Sequence, residues 1–174
     1  QPPGLWEEVG PMKYEPDTGD GLYRRSLYTF WKRTSPPPSM VTFDAPNREV
    51  CVVRREVTAT PLQALVLLND PQFVEAARVL AERVTARYPD DVEDRVETLF
   101  RILTSRAPLP EELEVLCAAY DEQYAYFRAE PEGARAYVSV GEKPASTALD
   151  PVAVAAGTAV AQAVMNFEEF QFKP

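Results

Sequence analysis

Histidine is missing from all 174 residues, and that absence closes several chemistries at once. A Ser-His-Asp or Cys-His nucleophile, a histidine-ligated zinc site and a C-x-x-C-H haem attachment all need an imidazole inside the chain. Glycine is scarce at seven, and neither G-x-G-x-x-G nor G-x-x-x-x-G-K-[ST] occurs, so a backbone cradle for phosphate is not expected. The two cysteines, Cys51 and Cys117, carry no recognisable disulfide framework, although they could pair in an oxidising compartment. No apolar run reaches the ~20 residues that span a bilayer. The nearest, from Val152 to Val164, is too short and rich in alanine. Carboxylates, tyrosines, lysines and arginines are what remain for catalysis.

Hydrophobic residues make up 45% of the chain, the composition of a folded domain. The chain opens at Gln1 without a methionine or a basic-then-apolar leader, and is expected to be a piece of a longer polypeptide. A net charge of −9 argues against nucleic acid as the main partner, because that affinity rests on neutralising phosphates. The charge is unevenly spread. Residues 1–59 hold eight basic and eight acidic side chains, whereas 60–174 hold ten against nineteen. From Arg24 to Arg55, seven basic residues face only Asp44 and Glu49.

Two unlike parts are expected, a proline-rich basic and aromatic arm over 1–59 and a helical bundle over 60–174, together one folded unit. The arm has eight prolines. The spacing of Tyr23, Leu27, Phe30 and Trp31 predicts one short helix with these residues on one face. "SPPPS" predicts an extended polyproline spacer. Asp44 is placed to form an Asx turn, and Val50–Arg55 is expected to be extended.

From Thr60 the pattern is helical. Thr60, Pro61 and Gln63 form a capping box with proline at the first helical position. Asp70 and Pro71 cap a second helix with Phe73, Ala77, Leu80, Val84 and Tyr88 on one stripe. A third is expected to start at Asp90, with Glu93 completing its cap and Val92, Val96, Leu99, Phe100 and Leu103 facing inward. After Pro110 come Leu113, Leu116, Cys117, Tyr120, Tyr124 and Phe127, which turn Cys117 toward the core. A short helical or irregular piece follows Pro131. Asp150 and Pro151 start a helix, "PVAVAAGTAVAQAVM", that is apolar nearly all round and so should be central. Phe167, Phe170 and Phe172 can close back on the bundle, or on whatever neighbours it. The fold class is mainly α: an irregular bundle with a largely non-regular N-terminal arm.

"LYRRSLYTFWKRTSPPPSMVTFDAPNREVC", "TPLQALVLLNDPQFVEAARVLAERV" and "AVAQAVMNFEEF" resemble the later part of the domain of unknown function 1553 family, known from large planctomycete-type secreted proteins. The resemblance implies an exported, periplasmic or cell-surface multidomain polypeptide, often with a cytochrome c-like domain. It supplies no established reaction and no catalytic residues. Where the family shows Thr-Asn-Thr-Pro before the "PLQAL" helix, this chain has Thr58, Ala59, Thr60 and Pro61.

The candidate site is the cluster Arg24, Arg25, Lys32, Arg33, Arg48, Arg54 and Arg55, with Tyr28 beside it. Such a cluster can dock an anionic partner: an acidic domain surface, haem propionates, or a sulfated or carboxylated polysaccharide. The competing and favoured reading is that the guanidiniums stitch the arm to the acidic helices. Core packing is expected for the interleaved aromatics other than Tyr28. The acidic pairs Glu7–Glu8, Asp90–Asp91, Glu111–Glu112 and Glu168–Glu169 cannot easily converge on one atom, since neighbours on a helix point about 100° apart. "DTGDG" lacks the full ligand spacing of a calcium loop. The expected function is a non-catalytic interaction module beside other domains or a cytochrome. No metal and no cofactor are expected in this chain, a haem being carried elsewhere. The alternative is a polysaccharide-acting enzyme with a carboxylate pair.

Overall fold

A computed structural model describes Gly4, Trp6 and residues 14–47, 49–54 and 56–172. Among these there is no strand: the regular elements are helices, and the mainly α class holds. The chain divides into two compact units, 1–66 and 67–174.

In the first unit the helix expected over Tyr23–Trp31 is replaced by two 3₁₀ turns, Gly19–Tyr23 and Ser26–Tyr28. They are broken by Arg24 and Arg25 in extended conformation, and neither turn has a side-chain cap. A single short helix holds in water only if its apolar stripe is buried, and here Tyr23, Leu27 and Phe30 stay exposed. In "SPPPS", Pro37 keeps the extended backbone expected of a polyproline run, at φ −58 and ψ 125, but the last proline opens a helix, α1 (Pro38–Thr42), because the ring fixes the φ that a first turn requires. Thr42 Oγ1 donates back to the Pro38 carbonyl at 2.9 Å.

α2 (Pro61–Asn69) starts with the expected box: Thr60 Oγ1 accepts from Gln63 N at 3.3 Å and Gln63 Oε1 from Thr60 N at 2.9 Å. The second unit then runs α3 (Pro71–Arg87), α4 (Val92–Thr104), α5 (Pro110–Ala129), α6 (Pro131–Val138), α7 (Pro151–Met165) and α8 (Glu168–Gln171). Asp70 and Asp150 cap α3 and α7 by accepting from Gln72 N at 2.9 Å and Val152 N at 3.1 Å. The cap of α4 is Asp91, bonded to Asp94 N at 2.9 Å, one residue later than the expected Asp90. Either aspartate satisfies an orphan donor, and the later start leaves the same apolar face inward.

α7 packs against α3, α4, α5 and α6. Ala153 to Ala156, Val160, Ala161 and Val164 are buried along it, as the all-round apolar sequence requires. Gly157 lets α3 approach closely, since a Cβ there would come 3.2 Å from the Ala81 Cβ. Phe100, Leu99, Val96, Leu80, Leu116 and Tyr120 complete the main core, with Cys117, Phe167 and Phe170 packed on it. Both cysteines are free thiols, Cys51 exposed and Cys117 half-buried.

Buried polar groups are tied into this unit. Gln162 donates to the Leu67 and Leu68 carbonyls at 3.2 and 2.9 Å and accepts from the Tyr137 hydroxyl. Arg95 reaches the Tyr88 and Pro89 carbonyls and the Tyr120 hydroxyl at 3.0 Å. The loop before α7 is clasped from α3: Glu75 accepts from Glu142 N and, at 3.1 Å, from Lys143 N, while Glu82 accepts from Ser146 N at 2.9 Å. Arg78, fully buried, joins Glu82 at 2.7 Å to the Lys143 carbonyl at 2.6 Å.

Candidate interaction surface

The surface is organised around Gln63, a buried side chain that does more than cap α2. Its amide nitrogen donates to the Thr42 carbonyl at 2.9 Å, to Asp44 Oδ2 at 3.2 Å and to Thr58 Oγ1 at 3.2 Å. Asp44, held at φ +56, accepts from Thr58 N at 2.9 Å and from Thr58 Oγ1 at 2.8 Å. Residues 44 and 58 are therefore fastened together, and the segment between them projects as a loop. Sequence reasoning identified the cap and a turn at Asp44 but not this knot. The signal was present in the short polar residues on either side of the loop, Thr42 and Asp44 before it and Thr58 and Thr60 after it.

The loop is solvated to an unusual degree. Val50 is 68% exposed and Val53 fully so, and Val52, Val57, Cys51 and Arg54 are exposed as well. Val50–Arg54 is extended in part but bends at 49–50 and 53–54, without a strand partner among the described residues.

The same unit presents the other expected site residues. Arg24, Arg25, Arg33 and Tyr28 are exposed. Among the described residues, no ion pair engages Arg24, Arg25, Arg33 or Arg54. Lys32 differs from them. Its Nζ is buried without a hydrogen-bond acceptor among the described residues and lies 5.6 Å from the centroid of the Trp6 ring, where the ring's negative face substitutes for an anion. Trp6 is itself fixed, donating to the Ser35 carbonyl at 2.9 Å with Tyr14 and Phe30 edge-on at 5.4 and 5.3 Å. Burial, then the charge of Asp17, pushes the Tyr14 phenol up. Arg48 and Arg55 lie outside the described residues, as does the pair Glu7–Glu8.

Charge is arranged differently in the second unit. Glu112 and Glu169, taken from two different acidic pairs, converge on Arg106 at 2.7 and 2.8 Å, and the guanidinium sits 4.7 Å from the Phe100 ring centroid. The Arg106 hydrogen bond, then that from Leu109 N, lowers the Glu112 carboxyl to about 2. One shallow depression, of about 440 Å³, is lined by Arg87, Tyr88, Asp94, Glu97, Thr98, Arg101 and Ile102. Arg101 lies 3.2 Å from Glu97. Among the described residues, no three His, Cys, Asp or Glu side chains are grouped to hold a metal ion, and no helix is long and apolar enough to cross a membrane.

A family model described as Protein of unknown function (DUF1553) matches residues 2–120. The chain belongs to this family. No curated protein matches it, and no solved structure does. The DUF1553 match takes in the exposed basic surface, the Asp44–Thr58–Gln63 knot and α3 and α4. It stops at Tyr120 in α5, short of α7 and of the closing "AVAQAVMNFEEF".

Proposed function

We propose that this chain is a non-catalytic interaction module of an exported multidomain protein, and that its first unit docks an acidic protein surface, such as that of a cytochrome c-like domain or partner. The observation that carries this reading is the set of exposed guanidiniums at Arg24, Arg25, Arg33 and Arg54, none of them in an ion pair among the described residues, interleaved with exposed Tyr28 and Phe30. Cations flanked by aromatic rings suit an acidic protein face, because the rings supply contact area at low entropic cost while the charges steer approach. The export and the haem-bearing neighbour rest on the family resemblance.

Calorimetric titration against a c-type cytochrome with an acidic surface tests the reading, with heparin as the polysaccharide probe. Binding to the cytochrome that weakens steeply with salt is the expected result. Heparin binding with no cytochrome binding would move the partner class to sulfated polysaccharide. Binding of neither would overturn the docking surface.

A second reading, a polysaccharide-acting enzyme, draws support from Asp94 and Glu97 lining one depression with Tyr88. It requires that Asp94→Asn and Glu97→Gln each abolish release of reducing sugar from an acidic polysaccharide that the unaltered chain degrades.

A further inference from the structure

We infer that Val50–Arg54 is a docking strand that pairs antiparallel with the same segment of a second copy of this chain. The first support is the backbone. None of the described residues from Val50 to Val57 makes a backbone–backbone hydrogen bond, so a row of donors and acceptors is left to water. The side chains match a strand: Val50, Val52 and Val53 are β-branched and exposed, and such residues favour a pleated, paired surface. The knot at Asp44, Thr58 and Gln63 presents both ends of the segment from a fixed base. Insertion into a lipid surface is disfavoured by the same backbone, because unpaired peptide groups are costly in hydrocarbon.

Charge selects both the occupant and the register. When Val52 is set opposite its own copy, sequence position alone puts Glu49 opposite Arg55, Arg48 opposite Glu56 and Cys51 opposite Val53. Opposite charges directly across a ladder stabilise it, and like charges destabilise it. Slipping the register by one residue sets Arg48 against Arg55 in one direction, leaving Glu49 opposite Arg54 as its one opposite-charge pair, and Glu49 against Glu56 in the other, so neither slip keeps the two opposite-charge pairs of the centred register. Glu49, Arg54 and Glu56 are exposed and, among the described residues, none is in an ion pair. The contact is isologous, so it closes at two copies. A pair of five-residue strands buries well under the ~1,200 Å² of a stable interface, and the bends at 49–50 and 53–54 must straighten. The dimer is therefore weak, forming between roughly 10 µM and 1 mM.

Sedimentation velocity on the full reduced chain over that range is the test. The mass should rise from 19.5 kDa toward twice that value. Val52→Pro/Val53→Pro should weaken the dimer about tenfold or more, since one of two successive N–H groups must face the partner and neither proline can donate. In a Cys51→Ser, Cys117→Ala background, oxidative cross-linking should be fastest for Val52→Cys and slower for Val50→Cys and Arg54→Cys, because only position 52 meets its own copy. A chain that stays monomeric throughout, a dimer indifferent to the two prolines, or cross-linking that peaks away from position 52 would each overturn the inference. Cytochrome and heparin binding at low micromolar concentration reads the separate anionic-partner reading, so the two can fail independently.

Discussion

Asp44 is the residue whose replacement most directly tests how the exposed loop is held. Its carboxylate accepts from Thr58 N, Thr58 Oγ1 and Gln63 Nε2 at 2.9, 2.8 and 3.2 Å, and its backbone sits at φ +56. Asp44→Ala removes all three bonds and places a Cβ without local hydrogen bonding in the left-handed region. Hydrogen bonds to a charged group contribute roughly 1.5–3 kcal/mol each when well buried. At this half-buried position water recovers part of that, which leaves a net loss of about 2–3 kcal/mol. Asp44→Gly loses the same bonds but relieves the left-handed backbone, and should be about 1 kcal/mol less damaging than alanine. Asp44→Asn keeps an acceptor and a residue tolerant of that backbone, at a cost of about 1 kcal/mol.

Both tryptophans, Trp6 and Trp31, lie in the first unit, so tryptophan fluorescence during urea unfolding reports that unit while far-ultraviolet circular dichroism is dominated by the second. The expected order of stability is wild type, then Asn, Gly and Ala, with Thr58 N–H exchange accelerated in the same order. An Asp44→Ala chain within ~0.5 kcal/mol of wild type by fluorescence would refute the reasoning, since that is the scatter of uninvolved surface substitutions.

Three further outcomes follow from the second unit. Gly141→Ala should destabilise it by more than about 2 kcal/mol in a denaturant titration, because the backbone is at φ +104 and the new Cβ would lie 2.1 Å from Glu75 Oε2. Arg106 holds the Glu112 carboxyl down at about 2, so its stabilisation is complete above the unfolded value near 4.5 and is lost as pH falls through about 2. Thermal melts of Arg106→Gln should accordingly depend less on pH between about 4.5 and 2 than those of wild type. Burial pushes the Tyr137 phenol up to about 12, which stabilises the fold below the ordinary phenol value of 10 and fails as pH rises through 12. Tyr137→Phe should remove a late-titrating component in absorbance at 295 nm and, by leaving the Gln162 Oε1 without its donor, reduce stability by about 1–2 kcal/mol.

The second unit was legible because its signals are local. Asp70–Pro71 and Asp150–Pro151 announce helix starts within two residues, and the stripe from Leu113 to Phe127 needs only a count along the chain. The shift from Asp90 to Asp91 shows the resolution of that kind of signal, since two adjacent aspartates offer the same chemistry. The first unit was not legible in the same way. Tyr23, Leu27 and Phe30 have helical spacing, but spacing makes a helix only where a core receives the face, and these side chains meet solvent. Arginine exposure is likewise set by tertiary arrangement, which composition does not encode. The clasp of Glu75, Arg78 and Glu82 on the loop at 142–146 joins residues more than sixty positions apart, and nothing in their sequence neighbourhoods marks them as partners.

The central claim is that the exposed cations of the first unit dock an acidic partner through their position and not through bulk charge. The most direct measurement compares Arg24→Glu/Arg25→Glu/Arg33→Glu with Arg83→Glu/Arg128→Glu/Arg135→Glu, an equal change in net charge made at exposed positions of the second unit, by titration against the acidic cytochrome at fixed salt. At ~0.5–1 kcal/mol for each exposed charge, the first triple should weaken binding by about tenfold or more, and the second should change it by less than about threefold. Equal losses in the two variants, or undiminished binding by the first, would contradict the account.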